Sequence, residues 1–125
     1  MSEETKLDVL GRMLDAFNEH DLDTIMSLFA DDCVFDSPRG PEPWGRRFEG
    51  KEAVREGLGA RFTGIPDVSW EGHSDFVSGE RGASAWTLRG ITVDGASLVV
   101  RGCDLWTFRG DRIVHKDSYW KIVEQ

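Results

Sequence analysis

At Asp67 the apolar residues of this 125-residue chain change their spacing, from steps of three and four to steps of two. A chain patterned in that order forms helices first and antiparallel strands afterwards. Each helix can then bury its apolar stripe only by lying on one face of the sheet that follows. The expected fold class is α+β, with about three N-terminal helices packed on a curved, mostly antiparallel β-sheet. The length leaves room for one core, so a single domain over 1–125 is expected.

Leu7, Leu10, Met13, Leu14 and Phe17 share a helical face behind Ser2, whose hydroxyl can cap the first turn, and they predict a helix from about Glu3 to Glu19. Asp21 or Asp23 can cap a second, shorter helix that carries Leu22, Ile25, Met26 and Phe29 on one side and ends near Ala30. Cys33 to Asp36 reads as a short strand. The stretch Ser37 to Arg47 holds three prolines and two glycines and reads as a loop. Gly50 to Phe62 is the third helix, with Ala53, Val54, Leu58 and Phe62 on one side. Four strands follow, over about Val68–Val77, Ala83–Val93, Ala96–Phe108 and Arg112–Val123. Asp94-Gly95 suits a two-residue hairpin loop, which needs positive φ at both centres.

Charge narrows the function. Fifteen basic residues stand against 23 acidic ones, and a net charge of -8 repels phosphate backbones and anionic headgroups, so neither nucleic acid nor membrane is an expected partner. No apolar run approaches the roughly 18 residues of a membrane span. The opening MSEETKLD lacks the basic start and apolar stretch of a signal peptide, which makes the cytoplasm the expected location. Cys33 and Cys103 form no CxxC and read as reduced, packed thiols. His20, His73 and His115 show no HxxxH or HExxH spacing, and no GxSxG, GxGxxG or Walker-type phosphate loop occurs. Neither a metal nor another cofactor is expected.

What remains is carboxylates set inside apolar strands, where a charge is costly unless paired or used. By alternation Asp104 shares a sheet face with Leu98, Val100, Trp106 and Phe108. Burial disfavours the ionised form of such an acid and would make it a proton donor. Otherwise it sits at a bulge or frayed edge, or pairs with a nearby arginine. Asp36 closes the first strand at an element end, where active-site groups lie, although an Asp before Ser-Pro also suits turn initiation. From Lys116 to Trp120 polar and aromatic residues mix, and alternation alone does not say which face points inward.

The order of elements, with the strings LFADDCVFD, DGASLVVRGCDLWTF and RIVHKDSYW, resembles the nuclear transport factor 2-like superfamily, which includes SnoaL-like polyketide cyclases and ketosteroid isomerases. The resemblance spans nearly the whole chain. It implies a cone-shaped fold and a homodimer paired through one face of the sheet. It also implies that Asp36 stands where ketosteroid isomerases keep their proton-shuttling carboxylate, and Asp104 where they keep the protonated acid of the oxyanion hole. Lys116, Ser118 and Trp120 would face the cavity. The tyrosine donor of the family and its supporting tyrosines fall at Met13, Phe29 and Leu58, which donate no hydrogen bond, so the oxyanion hole is incomplete. An ammonium at Lys116 beside Asp104 would favour the carboxylate, making Asp104 a base or anchor and Lys116 the electrophilic donor.

The implied activity is cofactor-independent proton transfer next to a carbonyl of a small, neutral, largely apolar molecule, by isomerisation, cyclisation or dehydration. Asp36 would move the proton, and Asp104 with Lys116 would stabilise the enolate. Met13, Phe29, Leu58, Val100, Trp106, Phe108, Ser118 and Trp120 would line the pocket. The alternative is a non-catalytic ligand-binding or dimerisation module whose cavity is filled by side chains. A cavity of about 300 Å³ or more with both acids at its wall would favour the enzyme.

Overall fold

The computed structural model describes residues 2–124. Its elements are α1 (Glu3–Asn18), α2 (Leu22–Ser27), β1 (Phe29–Glu42), β2 (Gly45–Glu49), α3 (Lys51–Gly64), β3 (Ser69–Ser78), β4 (Arg81–Ile91), β5 (Ser97–Arg109) and β6 (Arg112–Trp120). Both helix caps form as the sequence suggests: Ser2 Oγ accepts the Thr5 N–H, and Asp21 Oδ1 accepts the Thr24 N–H, each at 3.1 Å. The six strands make one sheet in the order β2-β1-β6-β5-β4-β3, antiparallel except for the parallel β1–β6 pair. The α+β architecture is the one the change of period requires.

The Pro-rich segment differs from its sequence reading. Phe29 does not extend α2; it opens β1, a 14-residue strand that runs through Asp36, Pro38 and Pro41 before returning as β2. Prolines are accommodated because the β1–β2 register is continuous over Val34–Ser37 and then shifts, the next pair being Glu42 with Gly45. Pro38 and Pro41 lie inside that irregularity, where no ladder N–H is needed. The Asp94-Gly95 loop is also longer than expected. The Thr92 N–H donates to the Ala96 carbonyl and the Gly95 N–H to the Thr92 carbonyl, and only Gly95 has positive φ, at 90°. This is a three-residue loop with a left-handed glycine last. Strand pairing stops at Ile91 and Trp120, short of Val93 and Val123.

The main core joins Leu10, Met13 and Phe17 of α1, Ile25 of α2 and Val54 and Leu58 of α3 to Phe29, Phe35, Trp106, Phe108 and Ile113 of the sheet. A smaller cluster gathers Ile65, Val68, Trp86, Leu88 and Val100. α1 packs on β3 at one end of the sheet, and α3 packs on β1 and β2 at the other. The central strands β6, β5 and β4 are left as the floor of a cavity between the helices. No helix among the described residues is long and apolar enough to cross a membrane.

Candidate active site

Ser84, Asp104 and Ser118 lie side by side across β4, β5 and β6, and Lys116 pairs with Trp106 in the next row. This register turns the polar side chains onto the cavity floor. Lys116 Nζ donates to Asp104 Oδ1 at 2.8 Å and to Ser118 Oγ at 2.7 Å, while Ser118 Oγ donates to the same Asp104 oxygen. Trp86 Nε1 donates to Asp104 Oδ2 at 2.9 Å. The ammonium is surrounded by the rings of Phe35, Phe17 and Trp106, at 5.0, 5.5 and 5.5 Å from their centroids. Asp104, Lys116 and Ser118 are all buried. Asp104 and Lys116 thus form a desolvated ion pair in an aromatic box.

An ammonium has three hydrogens, and Lys116 spends two on Asp104 and Ser118. The third finds no acceptor among the described residues. Asp104 Oδ1 takes two hydrogen bonds, but Oδ2 takes only the one from Trp86. Among the described residues one ammonium hydrogen and one carboxylate lone pair are thus left without a hydrogen-bond partner, on two side chains that line the cavity. Trp86 reaches the acid because its strand partner is Gly102: a Cβ there would stand 2.5 Å from the indole ring.

Of the residues named from the sequence, Met13, Leu58, Trp106, Ser118 and Trp120 line the cavity, joined by Phe17, Phe35, Trp70 and Trp86. Phe29 and Phe108 do not reach it, being packed within the main core, and Val100 is covered by the smaller cluster. The cavity volume is about 60 Å³, well below the size set out above as favouring an enzyme.

Asp36 stands apart from the cavity. Phe35 stacks on Phe48 on the helix-covered face, and one residue further along β1 the side chain turns to the opposite face. There Arg47 donates to Asp36 Oδ1 at 2.8 Å and Oδ2 at 3.1 Å, and His115 Nε2 lies 2.8 Å from Oδ2. The two acids are thus not at one wall. A shift of one residue along a strand exchanges the faces, and matching by string position leaves that choice open. Asp36, His115 and Asp117 offer ligand atoms within 4.8 Å of one another. A cation there would have to break the bonds Asp36 already makes to Arg47 and His115, so we assign no metal to it.

Burial pushes the Asp36 carboxyl up, but the Arg47 fork and His115 outweigh it and hold the group below the usual carboxylate range. A depressed folded value contributes stability that is complete above the unfolded value, about 3.9, and is lost as pH falls through the folded one. The gap in urea midpoint between the parent and Asp36→Asn should therefore be full at pH 6 and begin to narrow below about pH 4. A gap independent of pH from 6 to 3 would refute the pairing.

Sequence reasoning missed Trp86 and Arg61, both on the cavity wall. The signal for Trp86 is Gly102 within an otherwise bulky strand, since a strand glycine marks close approach of another group. For Arg61 it is a charge one turn beyond Leu58, on the stripe that α3 turns inward.

The sequence pattern of the SnoaL-like domain matches residues 10–116. The chain belongs to this family. No curated protein matches this SnoaL-like domain. Among solved structures, a nuclear-transport-factor-2-like protein of unknown function from Mesorhizobium loti is 30% identical with a TM-score of 0.79, over 96% of this chain and 93% of that one. An isomerase by name from Bacillus subtilis is 22% identical at TM-score 0.82, over 97% and 90%. A SnoaL-like polyketide cyclase by name from Jannaschia is 16% identical at TM-score 0.81, over 95% and 87%. At those identities the latter two share the fold with this SnoaL-like domain.

Proposed function

We propose that this SnoaL-like domain is a cofactor-independent acid–base enzyme, moving a proton next to a carbonyl of a small, largely apolar compound in an isomerisation, cyclisation or dehydration. The observation that carries this reading is the buried Asp104–Lys116 pair with one unused ammonium hydrogen on an aromatic cavity floor. Buried ion pairs are commonly no better for stability than apolar residues of the same volume, so packing gives little reason to keep one. The substrate carbonyl oxygen accepts the third Lys116 hydrogen. As the α C–H bond breaks, its proton passes to Asp104 Oδ2, and the electron pair moves onto the carbonyl oxygen beside the fixed ammonium. Asp104 then returns the proton at a different carbon or oxygen. Ser118 and Trp86 position the carboxylate throughout. Asp36, bonded on the other face, takes no part.

The test is exchange of α-protons into deuterated water across a panel of β,γ-enones and 1,3-diketones. The parent should accelerate exchange for at least one compound that binds. Binding without acceleration on every compound would overturn the reading. That outcome belongs to a second reading, a ligand-binding or dimerisation module, which the cavity volume of about 60 Å³ favours.

The chain forms a homodimer through the sheet face opposite the cavity. Phe76, Val99 and Tyr119 are 63%, 53% and 51% exposed on that face, beside half-buried Cys103 and Leu105. Such a set of exposed apolar side chains suits a partner surface. Sedimentation equilibrium at micromolar concentration should give twice the 14.1 kDa chain mass. A monomer mass alone would remove the pairing.

A further inference from the structure

Arg61 sits at the rim of the cavity, half-buried, with its guanidinium 4.4 Å from the centroid of the Trp120 ring. Arg47, Arg55, Arg89, Arg109 and Lys116 all have acid partners. Arg61 makes no hydrogen bond and no ion pair among the described residues. The charge that acts on it is another cation, Arg39; burial first and then Arg39 hold its pKa below the usual guanidinium value. In a chain of net charge -8, a partly desolvated guanidinium without an acid is an open anion site, because its planar fork of N–H donors fits a carboxylate in two-point fashion.

The cavity is also electrically polar along its length. Its other lining charge at the surface is Asp75, on β3, three strands from Trp120 in the sheet order. An anion is therefore drawn to the Arg61 end and repelled from the Asp75 end. Lys116, Ser118 and Trp120 alternate onto one face of β6, so the Arg61 end and the ammonium lie along one strand.

We propose that the ligand of this cavity carries a carboxylate held by Arg61 against Trp120, with a small apolar body of about one ring on the side of Lys116. The ligand class is thus a cyclic or aromatic keto acid and not a neutral carbonyl compound. Only its carbonyl end rests on the proton-transfer reading; the carboxylate end stands on Arg61 alone.

The experiment is quenching of tryptophan fluorescence by benzoate and by benzamide, which has the same shape without the charge. The parent should bind the carboxylate about tenfold or more tightly than the amide, as a charge-assisted two-point contact implies. Arg61→Gln should bring the two within about twofold while leaving amide affinity unchanged, and Arg61→Lys, which keeps the charge without the fork, should keep part of the preference. Equal affinities in the parent, failure of both probes to bind, or a preference that survives Arg61→Gln would each overturn the proposal. A preference abolished by Lys116→Met and not by Arg61→Gln would overturn it as well, by placing the anion at the ammonium. If the Arg61-dependent preference holds while no compound exchanges protons, the carboxylate site stands and only the catalytic reading falls.

Discussion

Asp104→Asn should lower the stability of the fold by about 3–5 kcal/mol, because it removes one partner of a buried ion pair and leaves the other charged. The amide has nearly the shape of the carboxylate, so the loss is electrostatic and not a matter of volume. Asn offers one acceptor oxygen where Asp104 presents two, and those two face three donors: Lys116, Ser118 and Trp86. Whichever way the amide turns, its NH₂ meets an N–H or ammonium. The melting temperature should fall by about 10–20 °C for a domain of this length. The double variant Asp104→Leu/Lys116→Met should recover part of that loss, since both charges leave together, the remainder being the Trp86 N–H and Ser118 O–H left without their acceptor. A single variant melting within a degree of the parent would mean that the acid is solvated. A double variant as unstable as the single one would mean that the loss comes from repacking.

Lys116→Met should slow α-proton exchange by about 10²–10³, the usual consequence of removing one donor to a developing oxyanion. Methionine keeps the length and apolar stem of lysine and the contacts with Phe17, Phe35 and Trp106, while taking away the ammonium. The double variant is the control that separates rate from folding, because it should fold like the parent and yet carry neither base nor electrophile. Exchange that persists in a folded double variant would remove both residues from the chemistry. The two results together would show the ion pair to be kept for what it does to a substrate and not for what it adds to the fold.

The helices, the four later strands and the acid at Asp104 were legible because each depends on short-range pattern: a stripe, an alternation, a charge among apolar neighbours. Cap residues were legible for the same reason, as Ser2 and Asp21 act within three residues of themselves. The β1–β2 hairpin was not, since its prolines sit in an irregularity visible only once the partner strand is in place. Nor was the face of Asp36, because a single strand carries no mark of which side the helices will cover. Phe29 repeated the apolar spacing of α2 yet pairs with Ile113 of β6. Trp86 joins the site through cross-strand register, which no local window contains, whereas Arg61 stands one turn beyond Leu58 on the inward stripe of α3 and was open to a local reading.

The alternation of β6 bears on how such a protein can change over time. Lys116 and Ser118 face the cavity, while His115 and Asp117 face the opposite side with Asp36. Removing or adding one residue in this strand would exchange the faces of its side chains, sending the ammonium to the outer surface and an acid into the aromatic box. Substitution can therefore retune the cavity, but a change of length cannot pass through its floor. The tolerated insertions and deletions fall instead to the irregular stretch between Ser37 and Gly45 and to the hairpin tips, where no inward-facing register depends on the count.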